Sequence, residues 1–363
     1  MCPCYNKGMF LALNEILKEK SRFLLITIVI VLVSYLVFFL TALAYGLASS
    51  YTRAVEAWQA EGIVLSDTAN KNIARSLLYQ SDYEAIVGDN AALLGVGAAT
   101  VDADESDDVS LFGIETDSFL MPELTSGRAI AAENEVVVSS ELMAAGVEEG
   151  GTLKFSGTET TYAVVGIVEN ATFQTAPVVY MQLDTWRTAV SEVSGMSGMR
   201  DDTTVSAVVI RGEKQDAYNT EPLAYLSIND FIFALPGYQA QVLTFSVMIG
   251  FLIGIAAFVL AIFIYILTMQ KKSIFGVLKA EGVPSSYIAR SVMVQVVLLS
   301  VFGLLVGGAL AVLTGVLLST KVPFAINPLF YGGIAGLFLL CAAIGGIASV
   351  RSVTKIDPVE AIE

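Results

Sequence analysis

Two sets of side chains in this sequence have the types and spacing to do chemistry. In the first, Tyr35, Phe38, Tyr45, Ser49 and Glu56 follow one another at steps of 3, 7, 4 and 7 residues. That spacing keeps them near one face of a helix. Arg53 stands one turn before Glu56, and Tyr51 lies between. An aromatic wall with one cation and one carboxylate would hold a flat amphiphile with acidic groups. Phe245 and Met248 would form an opposite wall. The plainer reading is an aromatic belt at a membrane surface, with Arg53 and Glu56 as a helical i, i+3 pair.

The second set is Lys271–Arg290, KKSIFGVLKAEGVPSSYIAR, a short basic segment between two long apolar runs. Ile274, Val277 and Leu278 fall on one helical face. Gly282 and then Pro284 end that helix, and Ser285 or Ser286 can cap the next. Such a helix suits a docking contact with a soluble partner. An ordinary loop between spans is the alternative.

Other chemistries are poorly supplied. The 363 residues include no histidine, the commonest general base, metal ligand and pH switch. Cys2, Cys4 and Cys341 cannot build a disulfide framework, and the two thiols flanking Pro3 are too few for a closed zinc site. The acidic run Asp102, Asp104, Glu105, Asp107 and Asp108 reads as a solvated loop. A formal net charge of −15 argues against a nucleic-acid partner. The sequence contains no G-x-x-x-x-G-K-[ST], so it offers no phosphate-cradling loop.

The elements that must position these residues follow from hydropathy, since 55% of the residues are hydrophobic. Four uncharged runs are long enough to span a bilayer. The expected order is a cytoplasmic amphipathic helix in 1–22, a first span in 23–50, an extracytoplasmic domain in 51–240 and a second span in 242–270. There follow a cytoplasmic helix and turn in 271–290, a third span in 291–320, a short outer loop in 321–327, a fourth span in 328–350 and a cytoplasmic tail in 351–363. The first span reads as an uncleaved anchor. Residues 1–22, 271–290 and 351–363 carry ten Lys/Arg against six Asp/Glu, whereas 51–240 carries nine against 29. The positive-inside rule then puts both termini inside and the large domain outside. Glycines recur at small-xxx-small spacing in Gly250/Gly254, Gly303/Gly307 and Gly332/Gly336, which permits close helix packing.

The fold class expected is an α-helical membrane protein with four transmembrane helices and one large extracytoplasmic α+β domain inserted between the first and second. Within it, Tyr51–Ala60 continues the first helix outward. Asn70–Tyr79, Asp82–Val87, Glu141–Ala145 and Leu183–Ser191 read as helices, with a helical subdomain in 60–130. From Asn134 the runs EVVVSS, TLKFSG, TTYAVVGIVE, APVVYMQ and TVSAVVIRG read as strands.

This organisation resembles the MacB/FtsX/LolC-type permeases of ABC transporters, and among them the haem-exporting HrtB branch. KSIFGVLKAEGVPSSYIARSVMVQ is similar to the family's loop after the second span, although Phe275 precedes Gly276 and Glu281 replaces an apolar residue. RSVTKIDPVEAIE is similar to its C-terminal ending, through Asp357, Pro358, Ala361 and Ile362. ENEVVVSSELMAAGVEEGGTLKFSG and YAVVGIVE resemble its outer domain. The resemblance implies a non-catalytic permease subunit and a homodimer in the membrane. ATP would be bound and hydrolysed by a separate ABC ATPase, docked through Ile274, Phe275, Gly276, Val277, Leu278, Lys279, Glu281, Gly282, Asp357 and Pro358. No covalently bound cofactor is expected. The transported ligand would be haem or a similar hydrophobic molecule, contacted by Tyr45, Tyr51, Arg53, Glu56, Phe38, Phe245 and Met248. The resemblance leaves two other roles open: control of a cell-wall hydrolase, and lipoprotein release.

Overall fold

A computed structural model describes residues 20–102, 107–195, 203–213, 216–270, 272–318 and 322–354. Its helices are α1 (Lys20–Ser50), α2 (Arg53–Ala57), α3 (Gln80–Tyr83), α4 (Leu183–Val193), α5 (Ile228–Ala234), α6 (Tyr238–Gln270), α7 (Lys272–Ala280), α8 (Ser285–Leu318) and α9 (Pro328–Thr354). Its strands are β1 (Gly62–Ser66), β2 (Ala91–Val101), β3 (Asp107–Ile114), β4 (Ser126–Gly127), β5 (Glu135–Ser139), β6 (Thr152–Lys154), β7 (Thr161–Val168), β8 (Thr172–Phe173), β9 (Ala176–Gln182), β10 (Ala207–Ile210) and β11 (Leu223–Ser227). The chain divides into two compact bodies, Ala48–Val242 and Met1–Leu47 with Leu243–Glu363.

The helical body contains the apolar runs. Within α1, α6, α8 and α9 the stretches Phe23–Ser50, Tyr238–Phe263, Ser285–Leu318 and Pro328–Ile347 are long and apolar enough to cross a membrane. Its core joins Phe23, Ile26 and Ile30 of α1 to Ala256, Phe275, Val292, Leu299 and Phe338. The tightest crossing lies between α1 and α8. The fully buried Ser34 hydroxyl stands 2.7 Å from the Ile30 carbonyl oxygen and 2.8 Å from that of Gly303. A Cβ at Gly303 would collide with Ile30, and one at Gly307 with Ser34 and with the backbone of Val31 and Tyr35. Of the three glycine pairs, only this one is packed in the described structure. Nothing lies within 4 Å of a Cβ at Gly250, Gly254, Gly332 or Gly336.

The segment between α8 and α9 folds back on α1. Ala325 N–H donates to the Ala42 carbonyl at 3.3 Å, and Gly46 leaves room for the Pro323 backbone. Asn327 then caps α9, its Oδ1 accepting from Leu329 N–H at 3.0 Å, with Pro328 as the first helical residue. Both choices suit a helix start.

The inserted body is an α+β domain. One mixed sheet runs in the order β11-β1-β10-β2-β3-β9-β5-β7-β4, with β6 beside β7 and β8 beside β9. The β3–β9 and β5–β7 pairs are parallel. One face carries α4, whose fully buried Trp186 fills the space left by Gly95 and Gly113. The other buries Ala54, Val55 and Trp58 from the entry to the domain and Phe231 and Leu235 from its exit.

Several expectations are corrected. The segment 60–130 is not a helical subdomain, because it supplies β1, β2, β3 and β4. Asn70–Tyr79 contains only the short 3-10 turn Ile73–Arg75, and Asp82–Val87 only the end of α3. Ser140–Ala145 is a 3-10 turn. The first helix does not continue through Tyr51–Ala60; it stops at Ser50 and resumes as α2. The helix expected over Asn14–Lys20 lies almost wholly outside the described residues.

The loop before β5 is organised by Glu135. Its carboxylate accepts from Arg128 Nη1 at 2.8 Å, from Arg128 Nη2, and from the Ala131 and Ala132 amides at 2.9 and 3.1 Å. The Arg128 hydrogen bond, then the amides, hold its pKa down at about 2, below the ordinary 4.5. A depressed acid stabilises the fold above its unfolded value and loses that contribution as pH falls from about 4.5 towards 2. Glu135→Gln is therefore expected to lower the thermal midpoint of the purified protein at pH 7 and to flatten its dependence below pH 4.5. An unchanged acid profile would show that this loop does not carry the effect.

Candidate functional site

α7 forms because a short run of helix-compatible residues is closed on one side by Gly282. The Gly282 φ of +90° is a left-handed conformation suited to glycine, and its amide donates to the Lys279 carbonyl at 3.0 Å. Glu281 N–H likewise donates to Val277 at 3.0 Å, and Glu281 is exposed. The helix has two working faces. Phe275, 3% exposed, enters the core of the helical body, and Gly276 is buried beside it. Ile274 and Val277 point the other way, 49% and 48% exposed. The two exposed β-branched apolar side chains leave a patch for a partner, while Phe275 ties the same helix to the bundle. Val283 also packs against that core, so the turn after α7 is anchored before α8 begins. Lys279 is half-buried; the Leu278 side chain, Asp357 and Pro358 lie outside the described residues.

The residues of the aromatic set separate. Phe38 is 4% exposed and its ring stacks on Tyr331 at 4.9 Å. The Tyr331 hydroxyl donates to the Phe38 carbonyl at 3.0 Å. Phe38 is thus a packing residue between α1 and α9 rather than a free wall. Tyr45 is half-buried with its ring 5.6 Å from Phe330 of α9. Phe245 and Met248 are half-exposed on α6, at the start of an open apolar groove lined by Val247, Gly250, Phe251, Gly254, Ile255 and Phe258.

At the foot of the inserted domain, Tyr51 meets a residue that its spacing in the sequence did not reveal. Its ring lies 5.7 Å from Tyr238, which in turn meets Phe233 at 6.0 Å. Phe233 is 54% exposed. The turn before α2 and the helices α5 and α6 bring these rings together across almost 190 residues of chain, so only three-dimensional structure could find them. Arg53 does not pair with Glu56. It reaches Glu141 at 3.5 Å, while Glu56 accepts from the Thr52 hydroxyl at 2.7 Å. Burial raises the Glu141 carboxyl above the ordinary range; Arg53 opposes the shift and Asp107 adds to it. The inserted body thus offers partly exposed aromatic faces at Tyr51, Tyr238 and Phe233 and, two residues along the chain from Tyr51, a guanidinium paired with a reluctant acid. Aromatic faces stack on flat rings, and a guanidinium pairs with anionic groups.

Comparison with known proteins agrees with the helical body. Residues 246–358 match the FtsX-like permease C-terminal family. Over 360 residues the chain is 26% identical to HrtB of Staphylococcus haemolyticus, described as a hemin transport system permease protein, covering 98% of this chain and 99% of that one. It is 25% identical to HrtB of Staphylococcus epidermidis with the same coverage. The extracellular domain of the noncanonic ABC-type transporter YknZ from Gram-positive bacteria aligns with 46% of this chain and 98% of its own, at 13% identity and a TM-score of 0.33. Residues 246–358 are thus an FtsX-like permease C-terminal domain, and over its full length the chain is similar to ABC transporter permeases of the HrtB branch.

Proposed function

We propose that this permease expels haem, or a flat amphiphile like it, from the membrane, driven by a separate ABC ATPase. The observation that carries the reading is the Tyr51–Tyr238–Phe233 cluster, with Arg53 two residues from Tyr51, in a chain similar over its full length to hemin permeases. The rings would stack on the macrocycle and Arg53 would pair a propionate. Tyr51 or Tyr238 oxygen would approach the iron, since tyrosinate can serve as an axial ligand. Charge asymmetry supports a cytoplasmic placement of α7 and an extracytoplasmic placement of the inserted domain. α7 then docks on the ATPase through Ile274 and Val277, and Phe275 passes its movement into the bundle. The four spans of one chain complete a transporter with a second copy, for which the open α6 face at Gly250 and Gly254 provides close approach.

Titrating the purified protein with haemin tests the cargo. Saturable binding is expected, with the affinity lowered at least roughly tenfold in Arg53→Ala, the size of one lost charge-assisted contact, and lowered also in Tyr238→Ala, which removes a stacking ring. Binding that is absent, or equal in all three proteins, contradicts the reading.

A further inference from the structure

The turn between β8 and β9 is a two-residue hairpin tip, Gln174–Thr175. Both residues are left-handed, with φ of +50° and +72°. A tip with two positive φ angles favours Asn-Gly. A β-branched threonine there is strained, and such strain persists only where the surroundings fix the backbone. The surroundings here are the end of the first apolar helix. Gln174 N–H donates to the Tyr51 carbonyl at 3.1 Å, and Thr175 N–H to the Ser50 carbonyl at 3.3 Å. Helix C-termini leave such carbonyls without partners inside the helix, and the hairpin supplies them.

The base of the hairpin is rooted in the domain. Phe173 is 3% exposed with its ring 5.3 Å from Phe112, and the Ser110 hydroxyl donates to its carbonyl at 3.3 Å. Ala54, Val55 and Trp58 enter the same core, and the Arg53–Glu141 pair adds a side-chain contact. The chain from the end of α1 through α2 is therefore held by main-chain donors at Ser50 and Tyr51, by an ion pair at Arg53 and by the apolar core that Ala54, Val55 and Trp58 enter.

We propose that the Gln174–Thr175 tip is the joint through which movement of the first-span helix is handed to the inserted domain. Both residues act as positioning residues through their amides. This rests on the reading that work is relayed from an ATPase. Spin labels at Val87→Cys and Leu329→Cys, with Cys2, Cys4 and Cys341 replaced by serine, report the distance between the two bodies in the permease–ATPase complex, with and without ATP and vanadate. The parent protein is expected to show a nucleotide-dependent shift. Two glycines inserted between Gln174 and Thr175 withdraw the donors and should remove at least half of it, with ATPase co-purification intact. The double variant Gln174→Asn, Thr175→Gly keeps both donors and should retain the full shift. An insertion variant that shifts as far as the parent overturns the joint alone. A parent that does not shift overturns the joint and the relay together. Loss of the shift in the insertion variant, in a parent that releases no haemin, upholds the joint and removes the cargo. Hydrogen exchange on the unaltered permease gives a check free of folding defects: the Gln174 and Thr175 amides should be protected, and fast exchange at both contradicts the proposal.

Discussion

Gly307→Leu is expected to lose most of the folded permease. A Cβ at this position would meet the Tyr35 amide nitrogen and the Val31 carbonyl oxygen at 2.8 Å each, as well as the Ser34 hydroxyl. The first two are backbone atoms inside α1 and cannot rotate aside, so the helices must separate. Overpacking costs about 1–3 kcal/mol where the neighbours can adjust. Here about 3 kcal/mol is expected, because separation also breaks the Ser34–Gly303 contact. Thermal stability in detergent, followed by size-exclusion chromatography, measures it. Gly332→Leu is the matched control: nothing lies within 4 Å of a Cβ there, and its midpoint should stay near that of the parent. Equal losses at the two positions would show that the α1–α8 crossing is not the tight one.

Ile274→Asp combined with Val277→Asp is expected to abolish work without unfolding the protein. Both side chains are about half exposed on α7 and leave the bundle core to Phe275. Aspartates there remain solvated in the free permease, so membrane insertion should persist. An ATPase groove that buries the apolar pair would have to desolvate two charges instead. Interface anchors contribute at least about 2 kcal/mol each when lost, roughly a 30-fold change in affinity. Co-purification of the ATPase and its stimulation should fall together by at least that factor. Phe275→Ala should behave differently, weakening the bundle as well as the coupling.

What was legible in the sequence follows from how much of each element's cause is local. The spans and α7 could be read because uncharged length and a Gly–Pro stop are properties of neighbouring residues. The strands β5, β6, β7, β9 and β10 lie in short runs rich in β-formers and could be read, whereas the two-residue β8 could not. β2 was hidden, since AALLGVGAATV has few β-formers. Its Gly95, and Gly113 of β3, are required because Trp186 of α4 lies against them. The tertiary contact that needs the glycine also erases the local signal. At the candidate site, Tyr51 and Arg53 could be named because they neighbour the aromatic set in the chain. Tyr238 and Glu141 were not, because long-range chain folding brings them there. Phe38 was misjudged for a related reason: spacing gives the face of a helix but not what covers it, and Tyr331 covers this ring.

ATP-dependent release of haemin tests the account most directly. The permease and its ATPase would be placed in lipid nanodiscs loaded with haemin, and transfer to an excess of a haem-binding acceptor protein followed by absorbance. ATP is expected to accelerate transfer, Arg53→Ala to slow it, and the Ile274→Asp, Val277→Asp double variant to reduce it to the rate without nucleotide. Transfer that is unaffected by ATP, in a complex whose ATPase is active and bound, would contradict it.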